Sequence, residues 1–593
     1  MSPEALPFIS RRSVVYGTNG MVASSQPLAT QAGIDILKKG GNAADAAISV
    51  AAALGVTEPG STGIGGDFSC LYYDAKTRKI SGLNGTGRTP AALTFNHIRE
   101  TGEIRDSSLP NTSIHAVTVP GAAAAWSDTI EHFGSGKLDI ADVLQPAIAL
   151  AEHGFPASYM ASIAWKKKED LLKKTNNAEN NLLIGGIHPP EEGDIVQQLD
   201  LARTYKLLAE RGKEVFYKGH IADAIIEAIQ SRGGLMTHED LASHTSELVD
   251  PISFDYHGWT IWEPPPNSQG ITTLIALGII RALEEENGLD LSKMEHNSAE
   301  YLHIIIEVLR LAFADTRYYV TDPQVVPVPT EKLLSKQYLS ARAKLVDFES
   351  RNDKIEKGYP DRTSNTVYFS VVDDQGNACS VLSSVFAYFG STIVPDRCGF
   401  PLHNRGCSFV LMEDHPNCIG PKKRPYHTLI PTMVTRKTTS SEHELEICFG
   451  IMGAFMQPQG QIQLIMNMMH FLANPQHAVD LPRICIAPPE SQNETSANSS
   501  RQQMTRMFTD VKDSVVYLEK GIAPHVIEQL EAMGHTCIVT EDNSNRSSFG
   551  AGQIIRVVRG GDFTGKRALA AGSDPRVDGH AAGLSGFTRL AKL

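Results

Sequence analysis

Thr366 is the residue whose position in the chain allows the most specific chemistry. It opens a β-branched and aromatic run, and the segment before it, residues 351–362, is polar and charged. If the chain is cut before Thr366, a hydroxyl nucleophile and a new α-amine belong to one residue. Such an amine has an ordinary pKa of roughly 7.7–8.0, so it can serve as the base for the hydroxyl near neutral pH. A threonine that only begins a strand has the same local pattern.

A strand, a tight turn and a second strand are predicted to position Thr366. The run from Thr366 to Asp373 has strand character, turn residues follow as far as Asn377, and a second apolar run covers residues 378–386. The polar segment before Thr366 is predicted to be an exposed linker. A further strand is predicted at residues 408–412.

The order of elements predicts a layered α/β sandwich to which both halves of the chain contribute. Helical periodicity dominates the first half and strand patterns dominate the second, with no internal repeat and no linker long enough to separate independent domains. Asn42, followed by Asp45, has the capping-box pattern of a helix start. The glycine-rich run at residues 60–66 fits neither a dinucleotide fingerprint nor a P-loop, so it is predicted to be a turn where backbone segments approach closely.

Composition excludes several classes of partner. The chain has 593 residues, 41% of them hydrophobic, and a net charge of −13 with no basic tract, which argues against nucleic acid. Its eight cysteines form no Cys-x-x-Cys pair, which is typical of a reducing compartment. The amino-terminal segment lacks the apolar core of a signal peptide and no apolar run approaches 18 residues. A soluble, cytoplasmic protein without a membrane partner is predicted.

One stretch raises the alternative of a zinc hydrolase. His238, Glu239 and His244 lie close together in sequence, but their spacing is not the His-Glu-x-x-His pattern that places two imidazoles on one face of a helix. We therefore predict neither a metal nor a cofactor.

Eight short motifs in a fixed order resemble the γ-glutamyltranspeptidase family, and the resemblance extends over nearly the whole chain. They are GGNAADAA (40–47), STGIGG (61–66), VPG (119–121), FYKG (216–219), AFAD (312–315), NT (365–366), KRP (423–425) and SDPR (573–576). The resemblance implies the N-terminal-nucleophile hydrolase fold, a four-layer αββα sandwich. It also implies a precursor cut into a large fragment, residues 1–365, and a small one, residues 366–593, which together form one domain.

The resemblance also implies a mechanism. Thr366 attacks the carbonyl of Asn365 to cut its own chain, and in the mature enzyme it attacks a substrate amide to give an acyl-enzyme. Water then completes hydrolysis, or an amino-acid or peptide amine completes transfer. Ser384 is implied to support the Thr366 hydroxyl. The backbone N–H groups of Gly453 and Ala454 are implied to bind the oxyanion, with Ala454 standing where the family usually has a second glycine.

The predicted substrate-binding positions depart from the family pattern. The arginine that usually anchors the substrate carboxylate is missing from its usual place, and the nearest one is Arg88. Cys407-Ser408 replaces an acidic pair, Arg405 is an added cation, and His427-Thr428 replaces paired serines. Five residues are predicted to contact the substrate: Arg88, Arg405, Ser408, His427 and Thr428. Our hypothesis is that one or both arginines bind a substrate carboxylate; His427 is predicted to be either a donor to the substrate or a hydrogen-bonded core histidine.

Three functions remain open on this evidence. The first is a self-cleaving γ-glutamyltransferase or glutathione hydrolase that acts on glutathione or a related small acyl amide. The second is a glutaryl- or oxamate-type amidohydrolase of the same fold, because the departures resemble those of the cephalosporin acylase branch. The third is an uncleaved, inactive scaffold, which a denaturing gel distinguishes by a single full-length band.

Overall fold

The computed structural model describes residues 12–104, 107–355, 365–438, 442–487, 514–540, 548–559 and 567–586. Most of the predicted linker before Thr366, residues 356–364, lies outside the described residues. The strands in chain order are β1 (Val15–Gly17), β2 (Gly20–Ser24), β3 (Asp67–Asp74), β4 (Lys79–Gly85), β5 (Phe155–Pro156), β6 (Ile195–Val196), β7 (Glu247–Val249), β8 (Ile252–Tyr256), β9 (Trp259–Glu263), β10 (Asn365–Val372), β11 (Ala378–Phe386), β12 (Thr432–Lys437), β13 (His443–Met452), β14 (Ile484–Ala487), β15 (Val515–Glu519), β16 (Thr536–Thr540), β17 (Ala551–Arg559), β18 (Arg567–Ser573) and β19 (His580–Leu584).

The helices vary from single turns to a 21-residue element. In chain order they are α1 (Pro27–Lys38), α2 (Ala43–Thr57), α3 (Phe95–Thr101), α4 (Ala122–Phe133), α5 (Ile140–His153), α6 (Tyr159–Thr175), α7 (Leu199–Arg211), α8 (Glu214–Tyr217), α9 (His220–Gln230), α10 (His238–Ala242), α11 (Ile271–Asn287), α12 (Ala299–Tyr319), α13 (Thr330–Leu333), α14 (Lys336–Ala343), α15 (Met456–Met469), α16 (Pro475–Asp480) and α17 (Pro524–Ala532). Short 3₁₀ helices cover Ile114–Ala116, Leu291–Lys293 and Arg405–Ser408.

Two seven-stranded sheets form the centre of the fold. The first, which we name the Thr366 sheet, has the strand order β19-β2-β10-β11-β3-β4-β7; the second, the Gly453 sheet, has the order β1-β18-β17-β13-β12-β9-β8. Side chains of both sheets share one buried cluster, which contains Met21 and Val372 from the first sheet and Met433 and Cys448 from the second. The sheets are therefore stacked face to face.

Helices cover the outer face of each sheet. The core on the far side of the Thr366 sheet contains residues of α1, α2, α4 and α5. The core on the far side of the Gly453 sheet contains residues of α11, α12 and α15. The predicted four-layer αββα architecture is confirmed.

The hairpin that carries Thr366 forms as predicted. Strands β10 and β11 pair antiparallel, with a register shift between Asn365 and Val367. The Asp373 carboxylate closes the turn, because it accepts the backbone N–H groups of residues 375, 376 and 377 at 2.8–3.0 Å. Its second oxygen accepts the N–H of Ala43 at 3.0 Å, next to the predicted capping box of Asn42, which is present. The turn thus fastens the hairpin to the start of α2.

The strand predicted at residues 408–412 is wrong. A 3₁₀ helix occupies Arg405–Ser408, and a single bridge joins Val410 to Cys418. Polar groups of neighbouring loops take the place of a strand partner: the Asn417 amide donates to the carbonyl of Ser408 at 2.7 Å, and the N–H of Leu411 donates to a loop carbonyl at 2.7 Å. Apolar alternation alone does not reveal such partners.

Both sheets combine strands from either side of residue 365. The Thr366 sheet takes β2, β3, β4 and β7 from the first part of the chain, and the Gly453 sheet takes β1, β8 and β9. The boundary at Asn365–Thr366 itself stays a prediction.

In the part of the chain that is described, no helix has the length and apolar character needed to cross a bilayer. The cellular location also stays a prediction.

Candidate functional site

Thr366, near the start of β10, is buried. Its Oγ1 donates to Oγ of Ser384, on the neighbouring strand β11, at 3.2 Å. Ser384 Oγ in turn accepts the backbone N–H of Phe386 at 2.8 Å. This short chain of hydrogen bonds holds the Thr366 oxygen in one orientation. The supporting role that the resemblance implies for Ser384 stays a prediction.

The glycine-rich run at residues 60–66 supports the end of β11. A Cβ on Gly66 would lie 2.4 Å from the carbonyl oxygen of Ser384, which no side chain tolerates. The carbonyl of Ser61 accepts the N–H of Val385 at 3.1 Å. The predicted close approach of two backbone segments is therefore confirmed, and it places this turn directly behind the hydroxyl pair.

Gly453 and Ala454 lie where β13 of the Gly453 sheet gives way to helix α15. Their φ angles are +121° and +50°, and Gln269 Nε2 donates to the carbonyl of Ala454 at 2.8 Å. Within the described residues, no oxygen accepts a hydrogen bond from either N–H group. Two unengaged N–H groups just before the start of a helix, whose dipole favours negative charge there, suit an oxyanion.

Replacing Ala454 by glycine is expected to stabilise the protein. A side chain at φ +50° costs roughly 1–2 kcal/mol, which the added backbone freedom of glycine in the unfolded chain only partly offsets. Urea unfolding of Ala454→Gly should therefore give a free energy of unfolding higher by up to about 1 kcal/mol. Ala47→Gly, within helix α2, is the matched control and should lower it. A loss of stability in Ala454→Gly would contradict strain at this position.

Thr366 and Gly453 share a narrow cavity of about 50 Å³. Its apolar wall includes Met160, Trp165 and Val577, and its polar lining includes Glu58, Tyr388 and Asp578. Thr366 and Gly453 therefore border one common space, as a nucleophile and an oxyanion donor would have to do for attack on a carbonyl.

Glu58 is a part of this cavity that the sequence did not reveal. Burial raises the pKa of its carboxyl group to about 7, a hydrogen bond from Ser25 acts in the opposite direction, and the charge of Asp578 raises the pKa further. The only signal in the sequence is an acid that follows a helix and precedes the glycine turn. Glu58 thus changes charge near neutral pH in the cavity that Thr366 also lines.

Glu58→Gln is expected to stabilise the protein at pH 7 and above, and not at pH 4.5. Because the folded pKa lies above the ordinary value of 4.5, ionisation costs stability as the pH rises from 4.5 to 7 and the cost is constant above that. Glutamine mimics the protonated form, so unfolding at pH 8 should require up to about 3 kcal/mol more than in the parent protein. The difference should vanish at pH 4.5; an equal difference at both pH values would contradict the raised pKa.

Arg405 lies buried beside the end of the Thr366 hairpin. Its Nη1 donates to Oγ1 of Thr428 at 2.8 Å, and its guanidinium carbon lies 4.4 Å from the ring centre of Phe386, whose backbone pairs with Asn365. Burial lowers the pKa of Arg405 to about 10, with Asp67 opposing the change, so it remains a cation at neutral pH. Among the described residues, its Nε and Nη2 donors have no hydrogen-bond partner.

Asp67, at the start of β3, organises the side chains around Arg405. It accepts the N–H of Gly87 at 3.0 Å and Nε2–H of His427 at 3.0 Å, and it lies 3.8 Å from Nε of Arg405. Burial would raise the pKa of Asp67, but His403, His427 and Arg405 together hold it below the ordinary value. The sequence analysis missed Asp67, although it directly follows the glycine-rich run.

His427 is fully engaged. Burial and the charge of Arg405 lower its pKa to about 3, against the opposing hydrogen bond to Asp67, so the ring is neutral. Its Nδ1 accepts the N–H of Leu429 at 3.2 Å while Nε2–H donates to Asp67. Of the two roles left open for His427, this geometry fits the hydrogen-bonded core residue.

The remaining two predicted residues have different surroundings. The Ser408 hydroxyl is buried in the same 3₁₀ turn as Arg405 and has no hydrogen-bond partner among the described residues. Arg88 instead contacts Asp322, Glu247 at 3.1 Å and Gln324 at 2.8 Å. The structure therefore brings Arg405, His427 and Thr428 together and places the Arg88 guanidinium in a separate ion-pair network.

The histidines of the rejected zinc motif have separate partners. His238 Nε2 lies 2.8 Å from an oxygen of Asp223, whereas His244 stacks on Tyr217 with ring centres 5.4 Å apart. Their geometry agrees with the rejection of that motif.

Comparisons with known proteins identify the family of this chain. The family model described as gamma-glutamyltranspeptidase matches residues 29–584. The glutathione hydrolase-like YwrD proenzyme of Bacillus subtilis (strain 168) is 34% identical over 571 residues, covering 96% of this chain and 99% of the relative. The glutathione hydrolase proenzyme of the same strain is 30% identical over 544 residues, covering 88% and 86%.

A solved structure shows the same architecture. The cephalosporin acylase from Bacillus halodurans superposes with a TM-score of 0.82 at 36% sequence identity, covering 99% of this chain and all of the other. The family model matches nearly the whole length of the chain, and the relatives named above cover most of it. Together these matches establish the family. The chain is an enzyme with the N-terminal-nucleophile hydrolase fold and belongs to the gamma-glutamyltranspeptidase family.

Proposed function

We propose that this chain is a precursor that cuts itself between Asn365 and Thr366 and then works as an N-terminal-threonine amide hydrolase and acyltransferase. The observation that carries the proposal is one shared cavity, lined both by Thr366, whose hydroxyl donates to Ser384, and by Gly453. The word proenzyme in the names of both relatives supports a cut precursor.

In maturation, Thr366 Oγ1 attacks the carbonyl carbon of Asn365 while its proton passes to a base. The C–N bond of the peptide breaks, the nitrogen takes up a proton, and the chain is held by an ester. Water then hydrolyses the ester, leaving a carboxylate on Asn365 and a free amine on Thr366. The hydroxyl is thereby regenerated beside its own base.

In turnover, the Thr366 amine accepts the hydroxyl proton as Oγ1 attacks a substrate amide. The N–H groups of Gly453 and Ala454 stabilise the resulting oxyanion, a contribution of roughly 2.7–4 kcal/mol for each donor in well-studied hydrolases. The leaving amine takes the proton from the Thr366 ammonium. Water or an acceptor amine then attacks the acyl-Thr366 ester by the same route in reverse.

The surroundings of Arg405 indicate which kind of acyl group we propose for the substrate. Arg405 is a buried cation over Phe386, at the end of the strand that pairs with β10, and two of its donors have no hydrogen-bond partner among the described residues. Such a cation is suited to a bidentate contact with a carboxylate at the far end of the acyl chain. Because relatives carry the name glutathione hydrolase, γ-glutamyl amides such as glutathione are the first candidates. No cofactor is needed for this chemistry.

A second candidate is a carboxylated acyl group without the α-amine, such as glutaryl or oxamate. Asp67, the acid beside Arg405, is already engaged by His427 and Gly87, so it does not offer a free oxygen pair to a substrate ammonium. The similarity to a cephalosporin acylase supports the same candidate.

A substrate panel tests the proposal and separates the two candidates. Purified protein is incubated with glutathione, γ-glutamyl anilide, glutaryl amide, oxamate and a neutral butyryl amide, and release of the amine is measured. Turnover of the γ-glutamyl compounds supports the first candidate, and turnover restricted to glutaryl amide or oxamate supports the second. Preference for the neutral amide would refute the role of Arg405, and a single uncut band with no turnover of any compound would support the scaffold.

A further inference from the structure

His257, Glu284 and His470 form a cluster of metal-ligand groups remote from the nucleophile. His257 lies in the turn between β8 and β9, Glu284 in the last turn of α11, and His470 directly after α15. One ligand atom from each residue lies within 4.8 Å of the others. Imidazole nitrogens with a carboxylate oxygen are the ligands that zinc takes in three-residue sites with an open fourth position. We propose that this cluster binds one Zn²⁺ ion.

Tyr256 holds the cluster in place. Its hydroxyl donates to Oε1 of Glu284 at 2.7 Å and lies 3.0 Å from Nε2 of His470. The other oxygen of Glu284, Oε2, lies 2.8 Å from Nε2 of His257. The carboxylate is therefore oriented through one oxygen by a buried phenol, while the second oxygen faces the imidazole. Such outer contacts orient ligands for a metal.

The surrounding backbone favours a cation. Helix α11 ends at Asn287 and helix α15 at Met469, so the carboxyl ends of two helices converge on the cluster. The carbonyl groups there carry a partial negative charge that stabilises positive ions. The nearest cation on α11, Arg281, is already bound to Glu285 at 2.8 Å. The cluster thus combines suitable ligands with a suitable field.

The zinc site would connect an edge strand to two helices. Strand β8 is the edge of the Gly453 sheet, and the ion would fasten its turn to two helices. His257 and Glu284 precede the proposed cut and His470 follows it, so in a cut protein the ion would bridge the two fragments. That last consequence rests on the proposed function, whereas the zinc site does not.

The catalytic chemistry does not involve this ion. Helix α15 has 14 residues, so its two ends are about 21 Å apart. Gly453 and Ala454 stand before its first turn and His470 after its last. Zinc binding therefore acts on stability, and a change at the cluster is expected to leave turnover intact.

The experiment is a titration of the full chain, freed of metal by a chelator, with ZnCl₂ in a calorimeter. Four variants are compared with the parent: His257→Ala, His470→Ala, Tyr256→Phe and, as the matched control, His238→Ala. His238 is an equally exposed histidine that faces a single carboxylate. Thermal unfolding with and without zinc is measured alongside.

We expect one tight zinc equivalent in the parent and in His238→Ala, and an affinity lower by about 10-fold or more in the other three variants. Zinc should raise Tm in the parent and in His238→Ala, and much less in His257→Ala and His470→Ala. Absence of binding to the parent, or equal binding by all five proteins, would overturn the proposal. Loss of binding in His238→Ala alone would assign the ion elsewhere and overturn it as well.

Discussion

Thr366→Ala is expected to remain a single chain of 64.4 kDa and to turn over no substrate. The change removes the oxygen that donates to Ser384 at 3.2 Å. Without this oxygen the chain can neither attack the carbonyl of Asn365 nor form the acyl-enzyme. Where nucleophiles of other hydrolases have been removed, kcat falls by roughly 10⁶-fold. A denaturing gel and an assay of amine release measure the two effects.

Thr366→Ser is the matched control because it keeps the hydroxyl and removes only the methyl group. It should still cut and retain measurable activity. Ser384→Ala should cut more slowly than the parent, since it loses the contact that orients Oγ1 but not the nucleophile. Sequencing of the small fragment from its amino end should give Thr366 first. A cut, active Thr366→Ala protein would disprove the proposed nucleophile.

The hairpin that carries Thr366 could be predicted because its signals are local. Turn residues between two apolar runs specify β10 and β11, and the carboxylate of Asp373 closes the turn with three backbone hydrogen bonds. The αββα order followed from the resemblance together with the distribution of helical and strand patterns. The hairpin depends on residues that are neighbours in sequence, and the layer order depends on the order of motifs along the chain. Both can be read from one sequence.

The surroundings of the predicted substrate-binding residues could not be predicted to the same extent, because their contacts are distant in sequence. Asp67 meets His427 across 360 positions, and Arg88 meets Asp322 across 234. Nothing near Arg88 reveals that its charge is already paired, and nothing near Glu58 reveals the burial that raises its pKa to about 7. The strand expected at residues 408–412 failed for the same reason, since loop groups elsewhere in the chain satisfy its backbone.

Arg405→Lys is expected to lower kcat/KM for carboxylated substrates by about 10–100-fold. Lysine keeps the positive charge but loses the planar fork that binds a carboxylate through two parallel hydrogen bonds, a difference of roughly 1.4–2.8 kcal/mol. The charge must be kept, because removing it would leave Asp67, 3.8 Å from Nε, without its cation. Turnover of a neutral butyryl amide, measured in parallel, should change by no more than about threefold, since that acyl group makes no contact with the fork.

Arg88→Lys is the matched comparison, since both arginines were candidates for the carboxylate. Its guanidinium is held by Asp322, Glu247 and Gln324, so we expect kcat/KM for the carboxylated substrates to stay within about threefold of the parent. Thr428→Val removes the hydroxyl that accepts a hydrogen bond from Nη1 of Arg405 at 2.8 Å. Its loss of kcat/KM on carboxylated substrates should lie between the losses of the two lysine variants, because the cation remains but has one hydrogen bond fewer. A loss in Arg88→Lys with none in Arg405→Lys would reverse the assignment. An equal loss on neutral and carboxylated amides in Arg405→Lys would show that Arg405 supports the fold of the site and does not select the acyl group.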